Sequence, residues 1–430
     1  MSYPARVSQW NQELSTVFAH LSQPQLWGLV LWSTSIALLG TAGLTQSSAL
    51  LALVLQQPET TVKQRLREWY LDARHKTGSR QGRKRKDLDV TTCFAPLLRW
   101  IVGRWTGKDL VLVLDATSFR DQWTVLAISV VLRGCAIPVA WKVVGAKEKG
   151  SWRPYWEGLL AQLDGCIPAD WKVLVMADRG LYANWLYQAI LQHGWHPFLR
   201  LNVGIKARAH GEDGFDWVSR WVPQPATSWK GKVDCFASRA SRLTGTLLLH
   251  WEPGYQDPWI IITDLEPEEA EISWYGMRTW IETGFKDFKR GLWDWQHSKR
   301  TDASRVERHW LAMAVAQLWT VSVGCQAEVE TQAQEQATHL PETHIARQRR
   351  RRPVGTSSPR SLSCAVRGRL LLLAAVVRGQ EMMPSGTLQP EAWPQTFQAP
   401  RKLPSASKQR ERERRRTYKR QGRARKRAAA

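Results

Sequence analysis

The chain of 430 residues, 43% of them hydrophobic, is long enough for two or three domains with a large buried core. Its formal net charge of +23 at pH 7 favours a polyanionic partner, and nucleic acid before a membrane surface. The six cysteines form no C-x-x-C pair, which excludes a zinc site of that spacing and a disulfide framework, and indicates a reducing compartment.

An uncharged apolar stretch, residues 26–55, lies within residues 1–90, a region predicted to be helical. The stretch is long enough to span a bilayer. Serine, threonine, glutamine and glycine interrupt it repeatedly, however, and residues 43–48 have the composition of a turn. We therefore interpret it as a buried helical pair and expect no membrane partner. No basic segment followed by an apolar run opens the chain, so we predict no signal peptide and a cytoplasmic location.

The end of this region resembles a helix-turn-helix. Two predicted helices, "QSSALLALVL" and "TVKQRLREWYLDARHK", flank the turn "QQPETT". The second helix carries Lys63, Arg65 and Arg67, which we predict to contact DNA phosphates, and the basic run at residues 80–86 follows as a linker. Any small helical hairpin would show the same pattern. Residues 1–90 are accordingly predicted to be a helical DNA-binding domain.

The following segments alternate between strands and helices. Residues 91–205 contain three β-rich runs, a helix, a strand, a helix and a strand, which predicts an α/β domain around a central sheet. Residues 206–265 break this rhythm and are predicted to be a β-rich insertion, after which the α/β pattern resumes with two helices in residues 266–325. Residues 326–430 are predicted to hold a linker, one amphipathic helix and a disordered tail, whose residues 401–430 contain 14 lysines and arginines against 2 glutamates.

Two aspartates end predicted strands of the α/β domain. Asp115 follows the first strand and Asp178 follows the fourth, 63 residues later. Because open α/β sheets bind ligands at the carboxyl ends of their strands, the two side chains are expected to share a site. An aspartate at one strand end often does no more than cap a turn, but two in equivalent positions favour a functional site.

A third carboxylate lies in the predicted helix "YGMRTWIETGFKDFK", residues 275–289. At roughly 100° per residue, Tyr275, Arg278, Glu282 and Lys289 fall within an arc of about 60°. This polar stripe lies beside the apolar stripe of the helix, not opposite it. Arg278 and Glu282 form an i,i+4 pair, and such pairs often only support a solvated face.

Convergence of these three acids would indicate a metal centre. Like charges repel unless cations lie between them, and oxygen ligands without histidine or cysteine suit Mg²⁺ or Mn²⁺. Two such ions about 3.5–4 Å apart activate a nucleophile and stabilise the leaving oxygen in phosphoryl transfer. A basic protein with that site is expected to cut or join a phosphodiester backbone.

The series of an Asp, a second Asp and a later Glu in an α/β domain with a β-rich insertion resembles the DDE transposases of bacterial insertion sequences. That family has a ribonuclease-H-like catalytic core. The stretch that begins at Tyr275 also matches, in full, the Y-x2-R-x3-E-x6-K signature of one large subgroup. The resemblance covers about residues 105–325 and does not extend to the basic tail.

The resemblance implies that Asp115, Asp178 and Glu282 are catalytic and bind two Mg²⁺ ions, which Mn²⁺ can replace. It implies that Arg278 and Lys289 hold phosphates near the cut, since an arginine fork and a lysine point charge suit that task. The partners it implies are double-stranded DNA, as element ends and as target, and a second copy of the chain in the active complex. The protein would then lie at the bacterial nucleoid.

Aromatic residues have implied roles as well. Tyr275 would position a phosphate or a displaced terminal base. In this subgroup the freed 3′-hydroxyl commonly forms a hairpin, in which a flipped base stacks on an aromatic side chain. Trp251 or Trp259 in the insertion could provide that surface, although core packing is the alternative for each of them among 25 tryptophans.

Three functions remain open from the sequence. The first is a transposase that cleaves element ends and transfers the strands into target DNA. The second is a DNA-binding regulator of the element without catalysis, against which the complete acid triad argues. The third is a different metal-dependent nuclease on the same fold, against which the four-residue signature argues.

Overall fold

The computed structural model describes residues 5–77, 86–119, 122–148, 151–297, 300–337 and 362–397. Over these residues the chain forms a group of N-terminal helices, one large mixed sheet with helices packed on it, and a C-terminal helix followed by an extended segment. The basic tail at residues 401–430, and all of the basic run at residues 80–86 except Lys86, lie outside the described residues.

The N-terminal region is helical, as predicted. Its helices are α1 (Ala5–Val17), α2 (Gln23–Leu39), α3 (Leu44–Leu55) and α4 (Glu59–Tyr70). A further helix that was not predicted, α5 (Phe94–Arg104), precedes the first strand. The turn in the apolar stretch occupies residues 40–43, so the prediction of a turn at residues 43–48 was wrong. Gly40 ends α2 because its φ of +69° lies in the left-handed region, which glycine adopts without steric cost.

Helix α2 is buried inside the protein. Leu29, Trp32 and Ile36 have no exposed surface, and the Trp32 indole donates to the Leu66 carbonyl of α4 at 3.1 Å. In the described part of the chain no single helix is long and apolar enough to cross a membrane. The pair α2–α3, bent by 103°, meets that test by length and composition only.

The sheet contains strands from both halves of the chain. They are β1 (Asp109–Phe119), β2 (Trp123–Leu132), β3 (Cys135–Gly145), β4 (Lys172–Ala177), β5 (His196–Arg200), β6 (Lys206–Ala209), β7 (Asp216–Trp217), β8 (Ser228–Cys235), β9 (Leu243–His250) and β10 (Trp259–Thr263). Helices α6 (Arg153–Ala161) and α7 (Asn184–Gln192) precede β4 and β5.

The first five strands have the topology of a ribonuclease-H-like core. They are ordered β3-β2-β1-β4-β5. Strands β1, β2 and β3 form an antiparallel meander, whereas β4 runs parallel to β1 and β5 parallel to β4. Each parallel return needs a crossover, which the segments containing α6 and α7 provide. The predicted α/β fold class and the order of its elements are confirmed.

The β-rich insertion continues the core sheet. Strand β10 pairs antiparallel with β5, and the sheet extends through β9, β8 and β6 to β7. Residues 206–265 are therefore β-rich, as predicted, but they share one ten-stranded sheet with the core. Pairing on β5 removes an exposed edge from the core sheet.

The C-terminal part is more ordered than predicted. Helix α9 spans Ala303–Ala337, so the prediction of a linker from residue 326 was wrong for its first residues. A helix is present where one was predicted, as α10 (Cys364–Val377), and it packs along α9. It is not amphipathic as predicted, because its exposed face carries Leu370 and Val377. Residues 379–397, which we call the strap, then pass over the region of the ten-stranded sheet, where Leu388 forms a bridge with Trp105 just before β1.

Candidate active site

The register of the central strands places the two aspartates side by side. The parallel pairing of β1 with β4 ends where Leu114 lies opposite Ala177. The next residues are Asp115 and Asp178, so both carboxylates emerge at the same level of the sheet. The prediction that Asp115 ends the first strand was wrong, because β1 continues along β2 to Phe119.

The signature segment is not one α-helix. It begins as a 3₁₀ helix (Ile272–Thr279), continues as α8 (Trp280–Lys286) and widens into a π turn (Asp287–Gly291). In the wide turn the Asp287 carbonyl accepts from the amides of Leu292 at 2.8 Å and Trp293 at 2.9 Å. The predicted arc, which assumed uniform α winding, therefore does not describe this segment, and changes of winding of this kind recur at functional sites.

Arg278 connects the three acids. Its Nη2 lies 2.8 Å from Asp115 Oδ2 and 3.6 Å from Asp178 Oδ2, and its Nη1 lies 2.6 Å from Glu282 Oε1. Arg278 is only 8% exposed, while the acid side chains range from 20% to 46% exposed. The convergence that the sequence predicted is thus organised around one guanidinium.

Backbone amides orient the two aspartates. The Ala116 amide donates to Asp115 Oδ1 at 2.8 Å, and the Arg179 amide donates to Asp178 Oδ1 at 2.7 Å. In each carboxylate this leaves Oδ2 to face Arg278. Charge-assisted bonds of this kind fix a carboxylate more firmly than neutral hydrogen bonds do.

Tyr275 lies behind Asp178. Its ring is 3% exposed, and its hydroxyl lies 3.3 Å from the Ala177 carbonyl and 3.4 Å from Asp178 Oδ1. The Arg200 guanidinium, on β5, lies 5.9 Å from the ring centre. Tyr275 therefore supports Asp178, and its predicted contact with a phosphate or a base stays a prediction.

Burial and charge act in opposite directions on these groups. Burial raises the pKa of Asp115 more than the Arg278 guanidinium lowers it. Burial tends to lower the pKa of Arg278, but Asp115 and its other anionic neighbours raise it overall. Burial and Arg290 lower the pKa of half-buried Lys289, against the attraction of Asp115. Lys289 therefore lies within electrostatic range of the acid cluster.

The donor set fits a hard divalent cation. Asp115, Asp178 and Glu282 each turn one carboxylate oxygen toward a common point, and oxygen ligands without nitrogen or sulfur suit Mg²⁺ or Mn²⁺. Among the described residues no three His, Cys, Asp or Glu side chains are arranged as a metal site. At the cluster of three acids, the Arg278 guanidinium lies among the carboxylates.

The tryptophans predicted to stack on a base are not open surfaces. Trp259 is 7% exposed and packs in the core, with its ring centre 5.3 Å from Tyr275 and 5.1 Å from Phe397, which corrects the prediction for it. Trp251 is half-buried and donates to the Tyr255 carbonyl at 3.0 Å. Both are held by neighbouring residues of the insertion and the strap.

An exposed aromatic residue was missed by the sequence reasoning. Trp217 on β7 is 42% exposed, and Lys206 Nζ on the neighbouring strand lies 4.9 Å from its ring centre. Cations beside an exposed aromatic ring are typical of nucleic-acid surfaces. The sequence signal for this surface is weak: the basic segment "KARA" is followed a few residues later by the dipeptide "DW".

The predicted helix pair near the N-terminus is present as α3 and α4. Lys63 and Arg67 are exposed on α4. Arg65 is half-buried, and its Nη1 donates to Gln57 Oε1 at 3.0 Å, so it braces the turn between the helices. Contact of these residues with DNA stays a prediction.

Asp287, in the π turn, is a further ionisable group that the sequence reasoning missed. Its carboxyl group is buried and interacts with Gln317 of α9, which also accepts from the Trp293 indole at 2.9 Å. Burial raises the pKa of Asp287 from 3.8 to about 6, although Gln317 and Lys286 act to lower it. The folded protein therefore holds this proton more tightly than the unfolded chain does.

A raised carboxyl pKa makes stability fall as pH rises. The contribution of Asp287 to the free energy of unfolding should be most favourable below about pH 4 and decline until about pH 6 as the carboxyl ionises in its buried position. Asp287→Asn should therefore raise that free energy by about 3 kcal/mol at pH 8 and hardly at all at pH 4. Urea denaturation at the two pH values measures the difference. Asp170→Asn is the control, since the pKa of exposed Asp170 is lowered by Lys108, and an equal gain there would contradict the explanation.

Comparison with known proteins gives a family match for the region that contains the three acids. Residues 106–319 match a family model described as a transposase DDE domain. No curated protein matches the sequence of the chain. Among solved structures the chain is similar to a piggyBac transposase synaptic complex with hairpin DNA, studied by cryo-EM, with 10% sequence identity and a TM-score of 0.34. That similarity covers 82% of this chain and 83% of the other.

Proposed function

Because residues 106–319 match a family model described as a transposase DDE domain, we propose that the protein cleaves DNA at the ends of a mobile element and transfers the strands into target DNA. The observation that carries the proposal is the convergence of Asp115, Asp178 and Glu282 on one point beside the central strands. The complete signature supports membership of the subgroup found in bacterial insertion sequences, with a location at the nucleoid.

The three acids would hold two divalent ions, Mg²⁺ or Mn²⁺. When bound, such ions activate the attacking oxygen and stabilise the leaving oxygen in a phosphoryl transfer. The Ala116 and Arg179 amides fix the orientation of the two aspartates, and Tyr275 packs behind Asp178. The site can therefore present its carboxylates in one geometry before DNA arrives, which is the pre-organisation that fast chemistry needs.

Cations near the acids would hold the DNA. Arg278 offers a planar fork for a phosphate and Lys289 a point charge, while the net charge of +23 supports binding along the duplex. Because both ends of an element must be cut and joined together, we propose that two copies of the chain act in one complex.

The test uses the purified full-length protein and a linear DNA that carries both ends of the element encoding it. In Mg²⁺ we expect strand breaks at the ends and, with added plasmid, covalent joining of the ends to it, all prevented by a chelator. Binding without breaks would instead indicate a regulator. Breaks without joining would indicate a nuclease of the same fold.

A further inference from the structure

The Arg278 guanidinium uses the carboxylate oxygens that a metal ion would need. Its Nη2 lies 2.8 Å from Asp115 Oδ2 and 3.6 Å from Asp178 Oδ2, and its Nη1 lies 2.6 Å from Glu282 Oε1. The other oxygen of each aspartate, Oδ1, already accepts from a backbone amide. A metal bound by Oδ2 of both aspartates would therefore meet the guanidinium.

The charges make the two occupants competitors. Three ionised carboxylates, the Arg278 guanidinium and nearby Lys289 leave a net charge of about −1, which still attracts divalent cations. A cation at the same oxygens would lie within a few ångströms of the guanidinium, where like charges repel strongly in a partly buried site. Stable binding of metal therefore needs Arg278 to turn away from the acids.

The local backbone suits such a movement. Arg278 is the last residue but one of the 3₁₀ helix, immediately before the change to α winding at Trp280. A 3₁₀ helix of eight residues is longer than usual, and such runs often mark hinges. The Nε of Arg278 is buried and has no hydrogen-bond partner within the described residues, so the present position does not satisfy all its donors.

We propose that Arg278 is a positioning residue that excludes divalent metal from the three carboxylates until a DNA phosphate draws its guanidinium away. A phosphate offers the fork two oxygens in the geometry that the carboxylates now supply. Metal loading is then coupled to DNA binding, so the protein without DNA carries little bound metal. This inference rests on the proposed function for the identity of the metal and the phosphate.

The experiment measures Mn²⁺ binding by electron paramagnetic resonance of the free ion, first without DNA. Wild type should bind weakly, whereas Arg278→Ala and the bulkier neutral variant Arg278→Gln should bind about tenfold more tightly or better. Adding Glu282→Ala to either variant should remove the gain. Arg153→Ala is the matched control, since Arg153 also forms an i,i+4 pair, at 2.7 Å with Glu157.

The second arm adds a short DNA duplex. The Mn²⁺ affinity of the wild type should rise on addition of DNA, and that of Arg278→Ala should change little. Arg278 variants that remain folded by circular dichroism but bind Mn²⁺ no more tightly than wild type would overturn the proposal. The first arm needs no cleavage, so a failure of the proposed function, seen as absent strand breaks, is distinguishable from a failure of this one.

Discussion

Replacing Asp115, Asp178 or Glu282 with alanine is expected to lower DNA strand cleavage by at least about 10³-fold. Each replacement removes one carboxylate from the cluster that would hold the metal ions, and such ions supply several kcal/mol of transition-state stabilisation. Binding of end DNA should persist, because most contacts of a basic protein with DNA are to phosphates along the duplex. Single-turnover cleavage and filter binding on the same samples measure the two effects.

The control is Asp170, which lies at the opposite end of β4 from Asp178. Asp170 precedes β4 and forms an exposed ion pair with Lys108 at 2.5 Å, so Asp170→Ala should cut at the wild-type rate. The isosteric variants Asp115→Asn, Asp178→Asn and Glu282→Gln separate loss of charge from loss of packing. Near wild-type cleavage by any triad variant would remove that residue from the catalytic set.

The position of the two aspartates could be predicted because the rules that fix it are local. Apolar runs that end in a carboxylate predict strands with functional ends, and parallel strands align those ends. The structure adds the register, in which Leu114 lies opposite Ala177 and the aspartates follow. The sequence could not show that β1 continues past Asp115, because that extension depends on pairing with β2.

The shape of the signature segment could not be predicted, since its winding depends on distant residues. A Cβ on Gly284 of α8 would lie 2.8 Å from that of Ala136 on β3, so the helix approaches the sheet at a residue without a side chain. The carbonyl of Trp293, just beyond the π turn, accepts from the Ala42 amide at 2.6 Å. Both contacts join segments far apart in the chain, while periodicity describes only neighbours.

The role of Arg278 illustrates the same limit. Its i,i+4 spacing to Glu282 was visible, and the need for a cation among three acids was expected from charge alone. That the cation is Arg278 itself follows from the contact with Asp115, which is 163 residues away in sequence. The pattern therefore predicted the members of the cluster and not their pairing.

The C-terminal strap ties the signature segment to the rest of the fold. The Ser273 hydroxyl donates to the Pro394 carbonyl at 2.6 Å, and the Phe397 ring lies 5.1 Å from that of Trp259, a neighbour of Tyr275. Nothing in the local sequence predicted these contacts. The strap begins after α10, so the docking of α10 on α9 should affect the active site as well as stability.

That docking depends on two glycines. A Cβ on Gly368 of α10 would lie 1.8 Å from the Thr320 carbonyl oxygen of α9, and one on Gly324 would lie 1.9 Å from the Cys364 carbonyl oxygen. Both clashes are with backbone atoms, so a rotamer change cannot relieve them. The helices can meet this closely only where neither carries a side chain.

Gly368→Ala is therefore expected to lower the free energy of unfolding by about 3 kcal/mol or more, since overpacking against backbone forces the helices apart. Urea denaturation measures the loss, and limited proteolysis should show cleavage between α9 and α10 before the core is attacked.

Gly103→Ala is the matched control. Gly103 lies in α5 with nothing within 4 Å of an added Cβ, so alanine there should raise the free energy of unfolding by about 0.5–1 kcal/mol. Because the strap begins after α10, Gly368→Ala should also slow strand cleavage. A Gly368→Ala protein as stable and as protease-resistant as wild type would show that α10 does not dock through this contact.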